Sequence, residues 1–365
     1  MKEEFTMAKL RVGLIGVGDI MNGTHIPGYL ELPERCEITA ICDIKKEALE
    51  RAARRLNLPA ERCFTSYIDL MDSGLVDAVD IATHDSMHCP IAAEAVKRGL
   101  PFSSEKPMGM NYHEVKAVCD EAAKKGLPGH VCFTWHYRPY VRMMRQTIRS
   151  GRLGRIFHIY IRCIKDSGLW ENRPLEWRFD ERYSASGVMG DLASHMFDIA
   201  RFVGSEYESV SADAGIFVKE RPALDGGEMR PVTTWDWCNV LARMQDGSNA
   251  TFQISRTAKN IGDWIQVEVY GEKGRLVYSF FSKPVTYETT QRLEVQTDGE
   301  VEELLPTEAD AANQSGAFLN LIEGTTDGLE ATLEEGMRCQ AVLDAAYRSV
   351  REHRWVTIDE VVKEG

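Results

Sequence analysis

The stretch LRVGLIGVGDIM, residues 10–21, joins an apolar run to a glycine turn and then to the start of a helix. Gly16 permits a tight turn. Gly18 lets a backbone approach a pyrophosphate, which then rests on main-chain N–H groups at the helix start. Met21 stands where a third small residue is usual, so the loop alone leaves a nucleotide site and a plain strand-to-helix turn both open. Asp43 ends the next strand candidate, EITAICD, where a carboxylate reaches adenosine ribose hydroxyls and repels a 2′-phosphate. That points to NAD rather than NADP, although Lys45 and Lys46 pull the other way. A helix N-cap would account for the same aspartate.

Working outward, short β-rich runs (LRVGLIG, EITAICD, VDAVDIA, LPFSSEK, HVCFTW) alternate with segments of helical spacing such as KKEALERAARRLN, CPIAAEAVKRG and YHEVKAVCDEAAKKG. Strand and helix in alternation predict a parallel sheet covered on both faces, an α/β doubly wound fold. From about residue 154 longer strand candidates take over: GRIFHIYIRCI, WDWCNVLARM, NATFQIS and WIQVEVYG. Turn signals such as QDGSN and GEKG separate several of them. These predict an α+β domain with a large, mostly antiparallel open sheet. At 365 residues the chain exceeds what one core usually supports. We expect a dinucleotide-binding domain over 1–135 and a substrate-binding and oligomerisation domain over 136–365.

A net charge of −13 opposes binding to phosphate backbones and anionic lipid, so neither nucleic acid nor membrane is an expected partner. No apolar run approaches a bilayer's width, and MKEEFTMAKLRVGLIG carries acidic residues where a signal peptide needs basic ones. The nine cysteines are scattered and sit mostly in apolar contexts, which suits a reducing compartment. A cytoplasmic location is expected.

Lys106, in SSEKPMG, should project from the carboxyl edge of the first sheet, where ligands of open α/β sheets bind, and Pro107 keeps it out of helical angles. Far downstream, GVMGDLASHMFD (187–198) places Asp191 and His195 one helical turn apart. On a regular helix Asp191, His195, Asp198 and Phe202 form one stripe, and Leu192, Met196, Ile199 and Val203 lie opposite. The first stripe reads either as a solvated face or as a catalytic one. In the second case His195 serves as general base for an alcohol proton and Asp191 orients it or binds a neighbouring hydroxyl, with Asp198 structural. Asp191 with His195, and His84 with His88, also have metal-ligand spacing, but the chemistry needs no ion and no metal is expected.

Taken together, GVGDIMNGTHIPGYLE, the strand-end Asp43, EKP at 105–107 and GDLASHMFD at 190–198 resemble the Gfo/Idh/MocA family of NAD(P)-dependent oxidoreductases across nearly the whole chain. The resemblance implies catalytic roles for Lys106, Asp191 and His195 around a reacting carbinol and nicotinamide. It implies cofactor contacts from Gly16, Gly18, Asp19, Ile20, Asp43, Thr83, His84, His88, Glu105 and Lys106. Phe133-Thr134-Trp135-His136-Tyr137-Arg138 stands where the family's inositol dehydrogenases carry arginines, which argues against myo-inositol. Aromatic rings there would stack on a sugar or an attached aryl group. Trp135, His136, Tyr137, Trp170 and Trp177 are therefore the candidate substrate contacts.

The expected activity is NAD-dependent oxidation of a ring secondary hydroxyl in a sugar, glycoside or cyclitol, with the 3-position of a glucoside preferred. One alternative is a glycoside hydrolase that oxidises transiently, eliminates the aglycone and returns the hydride. Another is a non-catalytic sensor of dinucleotide or sugar. A carbohydrate or glycoside substrate and a homo-oligomer, dimer or tetramer, are the expected partners.

Overall fold

The computed structural model describes residues 9–284, 286 and 288–364; the first eight, on which the reading of the N-terminus partly rests, lie outside that range. The chain gathers into two compact units. One comprises the described residues up to Met108 with Glu114–Cys132 and Asn313–Gly336. The other comprises Gly109–His113, Phe133–Ala312 and the described residues from Met337 onward. The return of Asn313–Gly336 to the first unit has no counterpart in the two-part division drawn from the sequence. A helix pattern such as that of Gln314–Glu323 carries no sign of which sheet it covers.

In the first unit β1 (Leu10–Ile15), β2 (Cys36–Cys42), β3 (Cys63–Phe64), β4 (Ala78–Ile81), β5 (Phe102–Ser104) and β6 (Gly129–Val131) form a parallel sheet in the order β3-β2-β1-β4-β5-β6. The last four residues of β1 are all buried, as expected for a strand covered on both faces, where apolar residues run on instead of alternating. Strand order reverses between β1 and β4. That topological switch places the carboxyl ends of these two strands at the ligand-binding edge of the fold.

The helix after the glycine turn opens with a wide π turn, Met21–His25, and continues as Ile26–Leu30. Pro27 cannot donate to the carbonyl one turn back, so the hydrogen-bond ladder has to adjust around it. Met21, Ile26 and Tyr29 from this helix join Val12, Leu14, Ile41, Phe318 and Leu319 in one core cluster. Each such side chain contributes about 1.5–3 kcal/mol by leaving water. The helix expected to begin near Cys89 spans Asp85–Lys97 instead. It therefore starts on polar residues, with Asp85 in its first turn favoured by the helix dipole.

In the second unit β7 (Ile156–Lys165), β8 (Tyr207–Gly215), β11 (Trp237–Met244), β12 (Asn249–Ser255), β13 (Asp263–Gly271), β14 (Gly274–Ser282), β15 (Thr289–Thr297), β16 (Glu300–Glu303) and β17 (Val356–Thr357) make a nine-stranded sheet among the described residues. Only the β7–β12 pairing is parallel. Two short strands between β8 and β11, β9 (Glu220–Pro222) and β10 (Met229–Pro231), pair as a separate ribbon.

Helix Ser194–Val203 follows a second π turn, Met189–Ala193. Only the first half of the polar stripe drawn for it on an ideal helix reaches solvent, at Asp191 and His195. Asp198 and Phe202 are as buried as Met196 and Ile199. The pattern misled because Asp198 and Phe202 meet His136: Asp198 Oδ2 lies 3.1 Å from its Nδ1, and the Phe202 ring centroid 3.7 Å from its own. Among the described residues no helix is long and apolar enough to cross a membrane, and no disulfide joins any of the nine cysteines.

Candidate active site

Two groups of predicted residues are built by the two units, and each is taken separately. At the carboxyl edge of β1 the chain turns at Gly16 with φ of +83°, and a Cβ there would meet Ala82 O at 2.6 Å. Only glycine fits. A Cβ on Gly18 would meet nothing within 4 Å, so open space lies directly above the loop's main chain. This is the cradle that a dinucleotide pyrophosphate needs, and the residues fit an NAD-type cofactor.

Asp43 binds the loop itself: one carboxylate oxygen accepts from Val17 N at 2.9 Å and the other from Lys45 N at 2.8 Å. The helix N-cap is Lys45 rather than Asp43, so the N-cap reading does not hold; Asp43 instead anchors the glycine loop and the following turn. Asp19 and Ile20 are exposed beside the loop, Asp19 within 3.2 Å of Arg51. Thr83 follows β4, and its Cγ2 would stand 3.0 Å from a Cβ on Gly16.

His84 caps helix Asp85–Lys97 from outside, with Nδ1 2.9 Å from Ser86 Oγ; burial lowers its pKa. His88 is enclosed. Its Nδ1 lies 2.8 Å from Pro107 O and its Nε2 3.2 Å from Thr83 O, so the ring ties the turn after β4 to the turn after β5. Burial lowers its pKa too. His88 therefore shapes the edge and has no exposed ring face to offer a ligand.

Lys106 follows β5, half-buried, and the Lys106–Pro107 peptide is cis. Glu105 is buried and directed inward. Its Oε1 lies 3.1 Å from His25 Nε2, and its Oε2 accepts from Lys106 N at 3.0 Å. His25 Nδ1 in turn lies 2.8 Å from Asp80 Oδ2, which also accepts from Tyr29 OH at 2.9 Å. Burial opposes charge on His25, but Asp80 and then Glu105 outweigh it and raise its pKa to about 10. Burial also pushes the carboxyl of Glu105 up, and His25 followed by Lys106 more than reverses that.

The sequence reading missed this network. Its signal was present: Asp80 interrupts an otherwise apolar, fully buried strand, and His25 sits on the apolar side of a core helix. A buried charge in each place calls for a partner.

In the second unit the chain turns at Gly187 with φ of +57°, where a Cβ would meet Thr234 Cβ and Trp235 O at 2.7 Å. From Ser186 to Val203 every residue is buried except Asp191 and His195, which are half-exposed. Asp191 Oδ2 lies 3.7 Å from Arg178 Nε. Lys165, the last residue of β7, donates to Asp263 Oδ2 at 2.9 Å. Burial disfavours its charge, but Asp263 first, with a smaller contribution from Asp191, holds its pKa above the ordinary lysine value. Arg178 and Lys165 thus keep positive charge around Asp191. No spacing rule marked either of them.

Of the aromatic candidates, Trp170 is exposed and Trp177 is half-buried. Trp170 donates through Nε1 to Asp166 at 2.9 Å with Arg173 across its ring, and Trp177 carries Arg178 4.3 Å from its centroid. Trp135 is half-buried, edge-on to Phe280 at 4.9 Å. His136 and Tyr137 are enclosed, and His136 is occupied by Asp198 and Phe202 as described above. A substrate contact from His136 would need a ring edge that this packing does not expose.

The fold is that of a dinucleotide-binding oxidoreductase class. Residues 10–133 match the NAD-binding Rossmann domain of the Gfo/Idh/MocA oxidoreductases, and residues 141–277 match that family's C-terminal domain. The chain belongs to the Gfo/Idh/MocA family. It is 28% identical to levoglucosan dehydrogenase of Pseudarthrobacter phenanthrenivorans over 75% of this chain and 74% of that one. It is 25% identical to myo-inositol 2-dehydrogenase of Thermotoga maritima over 73% of this chain and 74% of that one. A levoglucosan dehydrogenase solved with NADH and levoglucosan shares the fold, with a TM-score of 0.84, 24% identity, and coverage of 96% of this chain and 100% of that one.

Proposed function

We propose that this protein oxidises a ring secondary hydroxyl of a sugar, glycoside or cyclitol with NAD, and that Lys106, Asp191 and His195 carry the reaction. The observation that carries the reading is the exposure of Asp191 and His195 alone on a segment otherwise buried from Ser186 to Val203. Burying sixteen neighbours to present one carboxylate and one imidazole is a costly way to make a solvent face and an effective way to fix two reactive groups. Bound nicotinamide supplies the hydride acceptor. His195 takes the hydroxyl proton, Lys106 steadies the negative charge that develops on the oxygen, and Asp191, 3.7 Å from Arg178, accepts a hydrogen bond from a hydroxyl. Exposed Trp170 and half-buried Trp177 supply apolar ring surface for a sugar. The 3-hydroxyl of a glucoside is the preferred position, and levoglucosan and inositol, named in two relatives, are the first compounds to try.

Mixing the protein with NAD and a 4-nitrophenyl glucoside tests this. Net NADH without nitrophenol release supports a dehydrogenase, whereas nitrophenol release without net NADH overturns it in favour of a hydrolase.

The other partner we propose is a second copy of the chain. The sheet face opposite buried Ile159 and Ile161 carries exposed Tyr160 and Leu241, which flank Thr251 across neighbouring strands. Sedimentation of Leu241→Asp should show a smaller species than wild type, and an unchanged species would remove the proposal. We also propose a reducing, cytoplasmic compartment, on the strength of nine cysteines with no disulfide.

A further inference from the structure

We propose that His25 and Asp80 are positioning residues that hold Lys106 through Glu105: His25 clamps one oxygen of the Glu105 carboxylate while the other oxygen fixes the Lys106 main-chain N–H. The inference rests on the reading of Lys106 given above. The chain of contacts is continuous within the first unit, from Asp80 Oδ2 to His25 Nδ1 at 2.8 Å, His25 Nε2 to Glu105 Oε1 at 3.1 Å, and Lys106 N to Glu105 Oε2 at 3.0 Å. Tyr29 OH donates to the same Asp80 oxygen. His25, Asp80, Tyr29 and Glu105 are all buried.

Each ring nitrogen of His25 faces a carboxylate oxygen, and the two carboxylates favour the protonated ring that donates from both sides. The glycine-loop helix, β4 and the end of β5 are thereby joined by charge rather than by apolar packing alone. Glu105 has no rotational freedom left while both of its oxygens are occupied. Apolar side chains in these places would fill the core without fixing the turn that carries Lys106. His25, Glu105 and Cys132 also lie close enough together to hold a metal ion. Both ring nitrogens of His25 already face carboxylate oxygens, and burial pushes the Cys132 thiol well up, which opposes the deprotonated ligands a metal requires.

The test uses the full chain and two histidine variants that each keep half of the clamp. His25→Asn places an amide where Nδ1 stands and keeps Asp80, but does not reach Glu105. His25→Gln places an amide where Nε2 stands and keeps Glu105. With levoglucosan and NAD, His25→Asn should lower kcat about 10-fold or more, with KM and the NADH Kd changed by less than roughly threefold, and His25→Gln should recover most of kcat. Glu105→Gln provides a second route if His25→Asn does not fold, and should lower kcat in the same selective way.

A readout free of substrate is the rate at which Lys106 is acetylated by acetic anhydride, followed by peptide mass. It should change in His25→Asn and return in His25→Gln. Equal effects of Asn and Gln on kcat, KM, NADH Kd and labelling would mean the network is merely structural and would overturn the proposal. So would wild-type kcat and labelling in all three variants. Full kcat in Lys106→Ala would overturn the reading of Lys106 itself, an outcome distinct from either.

Discussion

Asp191 and His195 are the two residues between Ser186 and Val203 that reach solvent, and the junction of a π turn with a regular helix lies between them. On the reading proposed above, the buried residues around them hold this carboxylate and imidazole toward the reacting hydroxyl. Replacing His195 by Ala should therefore lower turnover by about 10²-fold or more, the usual scale of a lost acid–base group, and leave the NADH Kd within roughly twofold of wild type. Stopped-flow reduction with NADH titrations alongside would check this. Parallel loss of NADH affinity and turnover would assign His195 a structural role.

Gly16 and Gly18 should respond oppositely to a methyl group. Gly16→Ala places Cβ 2.6 Å from Ala82 O on a backbone with φ of +83°, so it should lower Tm. Gly18→Ala meets nothing within 4 Å and should leave Tm near wild type while weakening NADH binding about tenfold or more, because the methyl occupies the pyrophosphate cradle. Thermal melts and NADH fluorescence separate the two. Tight NADH binding by Gly18→Ala would place the cofactor elsewhere.

Asp43 accepts two main-chain N–H bonds, one from Val17 in the glycine loop and one from Lys45 in the turn that follows. Asp43→Ala should cost about 1–3 kcal/mol by leaving those donors without the carboxylate, and should also weaken NADH binding. Asp43→Asn keeps only one acceptor oxygen and should fall between. Denaturant unfolding of the three proteins would show whether the order holds.

The buried His25 cation gives a signed pH dependence. Its pKa in the fold, about 10, lies above the ordinary value of 6.5, so its stabilisation is complete below about 6.5 and is lost as pH rises through about 10. Tm of the wild type should fall more steeply over that window than Tm of His25→Gln, which has no proton to lose there. At neutral pH, His25→Ala should cost about 3–5 kcal/mol, since it leaves Asp80 and Glu105 buried without their cation. Equal slopes for wild type and variant would show that His25 is not charged in the fold.

Much of the fold was legible because its signals are local. The glycine turn, alternating strands and helices, and the change to longer strands after residue 154 each follow from short-range periodicity. What was hidden depends on tertiary partners. The stripe of Asp191, His195, Asp198 and Phe202 looked uniform on an ideal helix, yet His136 covers its last two members. His136 looked like a ligand for a sugar because a sequence does not show which aromatic segment folds inward. Lys106 was legible from its place at a strand end, but His25 and Asp80 behind it were not, being 81 and 26 residues distant in the chain. Each of those two was an isolated polar residue in an apolar run, and only their contact in the fold explains both.

The most direct test of the central claim follows the hydrogen itself. Levoglucosan, myo-inositol and methyl β-glucoside, each deuterated at every ring carbon, would be incubated with the protein and NAD, and the reduced cofactor examined by mass spectrometry. The account predicts reduced cofactor carrying one deuteron from at least one of these compounds, formed together with the matching ketone. Failure of all three to yield reduced cofactor, or reduced cofactor without deuterium, would contradict it.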